Sequence, residues 1–413
     1  MGKGGVGKTT LACATAMAHA RAGQRVLVAS LDQAHSLGDA LGTAFPHGGG
    51  VSTVTSDLDV VEVDSLALLE ERFRGVAGAL AGAGHDHGFD PGALDPAELT
   101  GLPGVQELLM LVEIAGFARR GSWDVIVLDC PPSADMLRIV TAPETLLGYL
   151  DRIWPAPVRS RSLVGGDLRR AVLAVVVDRI AEAVGEVRDL LADHRRTGVR
   201  LVTGAERVAV AESARVRSAA ALLGLRLDEV VVNKVLPPLP SAGGPQHPAA
   251  QWYSSRRAEQ LAVIAELRRR CAGVPVTIAH HSGPEPVGLD CLAALSHAVG
   301  TRAPAGSGDA DPMMLGIDAD DASGAADAGH PQVRLESGTG LASVFTMRLD
   351  LPVVDPSTLR LGRVEDDLIV GADGVRRRLR LAPELRQCTV DAAELTGDQL
   401  VLRFRPDPQV WAQ

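Results

Sequence analysis

The ten residues MGKGGVGKTT open the chain and restrict its possible folds more than any other stretch. Gly2-Lys3-Gly4-Gly5-Val6-Gly7-Lys8-Thr9 fills the pattern G-x-x-x-x-G-K-[ST]. In such a loop successive backbone N–H groups cradle phosphates, the lysine reaches the β- and γ-phosphates, and the hydroxyl binds Mg²⁺. Gly2, Gly4, Gly5, Val6, Gly7, Lys8, Thr9 and Thr10 are therefore the candidate nucleotide cradle. A helix is predicted directly behind it. Leu11, Ala14, Thr15, Ala18 and Ala22 recur at spacings of three and four, and Gly23 supplies a stop. A loop of this kind normally hangs from a buried strand, and only Met1 stands where that strand would end. Two strands would otherwise face each other with unpaired backbone groups, each costing about 1–3 kcal/mol. The expectation is that about 5–10 apolar, β-branched residues precede Met1 in the native chain.

Lysine usage supports the reading of the loop. Of 41 basic residues only Lys3, Lys8 and Lys234 are lysine. Two of them sit in the loop, where a compact ammonium fits between phosphate oxygens and a planar guanidinium does not. At 413 residues, 46% hydrophobic and 22% charged, the chain has the length and composition of two or three globular domains rather than of a disordered protein. A net charge of −10 argues against a surface that coats nucleic acid. No apolar run approaches the roughly 18 residues of a membrane span, and no apolar leader follows Met1, so a cytoplasmic location is expected. Cys13, Cys130, Cys271, Cys291 and Cys388 are scattered singly, which reads as reduced thiols.

Short β-branched runs at 25–32, 58–64, 124–130, 199–204, 229–235 and 275–282 alternate with helical segments. That alternation predicts an α/β fold with a mainly parallel sheet and helices on both faces. Leu168, Val172, Val176, Ile180, Val184, Val187 and Leu191 form an apolar helical stripe, open to two readings: packing on the domain's own core, or a surface for a partner or apolar client. Residues 301–332 turn to Gly, Ala, Asp and Pro and read as a linker. Strand-like alternation then returns at 344–352, 358–364, 367–372, 375–382 and 399–404, predicting a small all-β sandwich over 333–410.

Several polar residues stand at predicted strand ends, where an open α/β sheet presents ligand contacts. Asp32 suits Mg²⁺ coordination through water; Asp39 either orients an attacking water or is an early-turn helix carboxylate. Asp129 closes the apolar run VIVLD, the position from which a carboxylate reaches Mg²⁺. Asn233 can hydrogen-bond a purine edge, and Leu236, where a guanine-reading carboxylate would stand, favours adenine. His85-Asp86-His87 and the pair His280-His281 read as solvated loop residues.

Together these residues resemble the ArsA family of ATPases, which includes arsenite-pump ATPases and targeting ATPases for tail-anchored proteins. Residues 2–9 match its loop; DQAHSLGD at 32–39 matches its first switch except for Gln33; DCPPSADMLR at 129–138 matches its second, with Asp135 replacing a histidine. The resemblance spans about 2–300 and implies ATP and Mg²⁺ as ligands, with Thr9, Asp32 and Asp129 around the metal and Asp39 positioning water. It implies a homodimer in which Lys3 reaches the partner's phosphates and acts in catalysis with Lys8. EPVGLD at 285–290 resembles the segment near the base. The tail, 349–385, resembles the α-crystallin-type domain of small heat-shock proteins. The leading expectation is an ATPase whose nucleotide state switches a client- or partner-binding surface. The alternatives are the ATPase subunit of an anion or metalloid pump, which would need thiolate ligands, and a non-enzymatic holdase with an inert ATPase fold.

Overall fold

The computed structural model describes residues 1–32, 36–45, 50–81, 105–163, 168–239, 247–271, 273–299, 332–351, 356–372, 374–397 and 399–411. The expected linker, up to 331, and the His85–His87 loop lie outside these residues, as does Gln33.

The first part alternates strands and helices. In order come α1 (Lys8–Arg21), β1 (Val26–Ser30), α2 (Ser36–Leu41), β2 (Ser52–Thr55), β3 (Leu58–Glu62), α3 (Ser65–Ala81), α4 (Val105–Arg120), β4 (Val125–Asp129), α5 (Ser133–Ile153), α6 (Ala156–Ser162), α7 (Leu168–Ala192), β5 (Val199–Gly204), α8 (Arg207–Leu222), β6 (Leu227–Val235), α9 (Pro248–Arg270), β7 (Val276–His280) and α10 (Leu289–Val299). The strands form two sheets, β2-β3-β1-β4 and β5-β6-β7. β1 runs parallel to β3 and β4, and β6 parallel to β5 and β7. β1 is buried along its whole length, as the uninterrupted run VLVAS of a central parallel strand requires.

Apolar clusters fill both faces. Leu27, Ala29 and Val61 pack with Met110, Ile114 and Ile139 on one side. Val26, Val28 and Val60 pack with Cys13, Met17, Leu37 and Leu292 on the other. Met1 and Gly2 stand where the two sheets meet. Met1 accepts the Val202 N–H at 2.7 Å, Gly2 makes a parallel bridge to Val202, and the Gly2 carbonyl accepts the Ser133 N–H just beyond β4.

The tail is a sandwich of two antiparallel sheets. β8 (Gln332–Ser337), β9 (Val344–Asp350), β13 (Cys388–Thr396) and β14 (Gln399–Pro406) form one in the order β13-β14-β9-β8. β10 (Arg360–Val364), β11 (Asp367–Ala372) and β12 (Val375–Arg380) form the other, and the short α11 (Pro383–Arg386) follows. Met347, Leu349, Leu368, Val370, Leu379, Leu400, Leu402 and Phe404 close the space between them.

The helical stripe divides between its two readings. Val184 and Val187 are buried, whereas Leu168 and Ile180, 62% and 43% exposed, face outward.

Candidate functional site

The phosphate-binding loop is shaped by close backbone approach. A Cβ on Gly2 would lie 2.2 Å from the Val202 carbonyl oxygen, and one on Gly7 would lie 2.5 Å from Asn233 Nδ2. Gly7 is left-handed (φ 88°) and its carbonyl takes the Leu11 N–H, so loop and helix join without a side-chain cap. Lys3, Gly4 and Gly5 are exposed, while Val6, Gly7, Lys8, Thr9 and Thr10 are half-buried. Lys8 donates from Nζ to the Lys3 carbonyl at 3.2 Å, folding back across its own loop.

Two side chains at the end of β6 hold the loop from beneath. Asn233 Nδ2 donates to the Val6 carbonyl at 2.8 Å, and Lys234 Nζ donates to the Gly5 carbonyl at 2.9 Å. Asn233 Oδ1 accepts the Lys234 N–H at 2.9 Å, with Lys234 itself left-handed (φ 59°). The third lysine of the chain thus serves the same loop as the other two, a role that the strand-end position of Asn233 alone did not disclose.

The carboxylates gather around Thr9. Its hydroxyl donates to Asp129 Oδ2 at 2.6 Å and lies 3.2 Å from Ser36 Oγ at the start of α2. Asp129 is 1% exposed and its Oδ1 is buried with no partner. Burial pushes its pKa up, the Thr9 hydrogen bond and the Lys8 charge pull it down, and the Asp32 charge pushes it up again. An orphaned carboxylate oxygen beside a hydroxyl and within reach of a second carboxylate suits a divalent cation. In a site of this type Mg²⁺ takes one or two protein oxygens and completes its shell with water and phosphate. Among the described residues no three His, Cys, Asp or Glu side chains cluster as a metal cage.

Asp39 occupies the first turn of α2 and is exposed. α2 is fixed at both ends: Glu62 Oε1 accepts the Gly38 N–H at 3.2 Å, and the Ala40 carbonyl accepts the Gly288 N–H at 3.0 Å. The 285–290 segment therefore braces α2. Asp135 pairs with Arg138 on the first turns of α5. His280 and His281 make strand-end hydrogen bonds to the Val235 carbonyl and the Gly283 N–H.

The fold and this loop define the class: a P-loop ATPase domain carrying an extra lysine ahead of the usual one, followed by a β-sandwich. The family model described as anion-transporting ATPase, ArsA, matches residues 1–300, and that of the HSP20-like domain found in ArsA matches residues 342–404. The chain belongs to the ArsA ATPase family. It is 43% identical over 428 aligned positions to Mycobacterium tuberculosis protein Rv2184c, covering 100% of this chain and 96% of that one. It is 32% identical to Streptomyces coelicolor protein SCO2128, covering 99% and 97%. It is 28% identical to the ATPase GET3 of Malassezia globosa, covering 58% of this chain and 73% of that one. No helix among the described residues is long and apolar enough to cross a membrane.

Proposed function

We propose that this protein is a Mg²⁺-dependent ATPase that works as a homodimer and uses its nucleotide state to open and close a protein-binding surface. The observation that carries this reading is the bond from Thr9 to buried Asp129 at the head of the segment leading into α5. It ties the phosphate loop to a helix whose far end meets the β-sandwich through Asp151 on one side and leaves apolar side chains exposed on another. Tyr149 and Ile153 on α5, Leu163 after α6, and Leu168 on α7 are all exposed, Ile153 by 80%. Exposed apolar side chains concentrated on neighbouring elements mark an interaction surface.

In the mechanism, Lys8 exchanges the Lys3 carbonyl for phosphate oxygens, and Thr9, Asp129 and Asp32 are the residues that would hold Mg²⁺. When bound, Mg²⁺ neutralises charge on the phosphates and polarises them for attack. Asp39 orients the attacking water once the switch loops are ordered around the nucleotide, so hydrolysis without a partner is slow. With Nδ2 tied to Val6 and Oδ1 to the Lys234 N–H, Asn233 keeps one amide hydrogen and one oxygen lone pair for the adenine edge, and Leu236 offers no carboxylate to guanine.

Phosphate release by the full chain tests this. Asp39→Asn is expected to slow turnover by about 10²–10⁴-fold, the usual share of general-base catalysis, while nucleotide still binds. Lys8→Ala is expected to remove binding. Turnover unchanged in Asp39→Asn, or a preference for GTP, overturns the assignment. Capture of an amphipathic helical peptide should differ between ADP and a non-hydrolysable ATP analogue and disappear in the Ile153→Asp, Leu168→Asp double variant.

A further inference from the structure

The β-sandwich is seated on the ATPase domain through two helices, α5 and α8. Leu222, the last residue of α8, is fully buried, and it belongs to the same apolar cluster as Met347, Leu368, Leu379 and Phe404 of the sandwich. Arg377 on β12 donates from Nη1 to the Leu222 carbonyl at 3.1 Å. That bond caps the end of α8, where helix carbonyls lack intrahelical partners and carry partial negative charge. Burial lowers the Arg377 pKa, and the charge of Glu144 on α5 opposes the shift. Arg380, at the end of β12, pairs with Asp151 near the end of α5 at 3.8 Å.

The other end of α5 belongs to the phosphate site. Ser133 gives its N–H to the Gly2 carbonyl at 3.1 Å, and only Cys130-Pro131-Pro132 separates it from Asp129. A helix of 21 residues is a rod about 30 Å long. Pro143 interrupts its hydrogen-bond ladder just before Glu144, dividing a half that touches the nucleotide loop from a half that touches the sandwich. Beside the first half is a cavity of about 510 Å³ between α5, α8 and the turn joining β11 to β12, lined by Ser133, Leu137, Thr141, Val216 and Val375. The Ser133 hydroxyl is buried without a partner. The Leu137 and Thr141 side of α5 thus borders open space, while Met136 and Ile139 on its other side pack in the core, so a small shift of its first turns is felt by both.

We propose that the β-sandwich reads the nucleotide state of the ATPase domain through α5. A shift at Ser133 moves Glu144 and Asp151 relative to Arg377 and Arg380, and so changes how firmly β11 and β12 are held over the cavity. This rests on the nucleotide reading of the loop given above. Linkage makes the effect reciprocal: if nucleotide alters docking, loosening the dock alters nucleotide affinity by the same factor.

Hydrogen exchange on the full chain tests it, without nucleotide, with Mg²⁺-ADP and with a Mg²⁺-bound non-hydrolysable ATP analogue. Residues 367–380 are expected to exchange at different rates in the ADP and analogue states of the unaltered protein. Arg377→Leu and, separately, Leu222→Glu are expected to speed exchange there in every state and to change ADP affinity by about 5-fold or more, a typical allosteric coupling. Identical exchange at 367–380 in all three states, with nucleotide demonstrably bound, overturns the inference and leaves the ATPase reading intact. Absence of nucleotide binding in the unaltered protein overturns both. Should either variant fail to fold, the three-state comparison on the unaltered chain decides alone.

Discussion

Asp129 carries two opposed demands in one carboxylate. It is buried, one of its oxygens has no partner, and burial is the largest influence raising its pKa. A carboxyl group with a raised folded pKa favours folding most when protonated. That contribution is fully present below the ordinary aspartate value and is lost as pH rises through the raised one. Burial therefore works against the ionised form of Asp129, the form that a cation requires. Asp129→Asn is expected to melt at a higher temperature than the unaltered protein at neutral pH, with the gain shrinking under acid. It should lose Mg²⁺-dependent hydrolysis by on the order of 10²-fold or more, the scale of removing one preorganised electrostatic contact. Thermal melts across pH, paired with phosphate release, check this; a lower melting temperature at neutral pH shows that burial does not disfavour the ionised carboxylate. Lys8, Thr9 and Asp129 were legible because motif spacing and strand ends are local patterns. The bond from Asn233 to Val6 was not, since it joins residues 227 apart in the chain.

At the scale of elements, the middle of the loop is held by β6, as its start is held by β5. Without the Asn233 and Lys234 side chains, two loop carbonyls lose their donors, and each hydrogen bond is worth about 0.5–1.5 kcal/mol. Lys234→Ala is expected to weaken ATP and GTP binding alike, by about 3–10-fold on the scale of 1.4 kcal/mol per decade. Asn233→Ala should show the same general loss and, in addition, erase the preference for ATP. Titration with fluorescent ATP and GTP analogues separates the two effects, and an equal loss for both bases in Asn233→Ala would limit that residue to holding the loop. Most strands were readable from β-branched runs, but β2, β8 and β13 were missed, and all three are edge strands. STVT is short and polar; QVRLES and CTVDAAELT place charged or exposed side chains along much of their length. An edge strand pairs on one side only and gains from charge that discourages further pairing, and β8 and β13 carry it, whereas β4 and β5, also at sheet ends, keep readable apolar runs because helices pack on them. Its existence is decided by the neighbour, as when Cys388–Thr396 pairs antiparallel with Gln399–Pro406.

At the scale of the whole molecule, the exposed mouth of the phosphate loop bears on assembly. Lys3 projects from a part of the loop that is open to solvent, while Lys8 lies back across the loop. The two lysines therefore face different surroundings, and Lys3 has no need to serve the phosphates of its own chain. Each copy has a net charge of −10, so two copies repel at long range. That repulsion is screened beyond about 8 Å at physiological ionic strength, whereas an ammonium in contact with a partner's phosphate is not. Bound triphosphate should then supply the negative charge that makes Lys3 favour pairing, and loss of the γ-phosphate should weaken it. The unaltered protein is expected to shift toward dimer with a Mg²⁺-bound non-hydrolysable ATP analogue and back toward monomer with ADP. Lys3→Ala should abolish the shift while changing single-chain nucleotide affinity by less than about threefold, since that substitution leaves Lys8, Thr9 and the loop tethers in place. Light scattering across a concentration series, run beside nucleotide titration, measures both quantities. A monomer at every concentration with the analogue bound would remove the cross-dimer role, and an equal dimer fraction in Lys3→Ala would move the source of pairing to another surface.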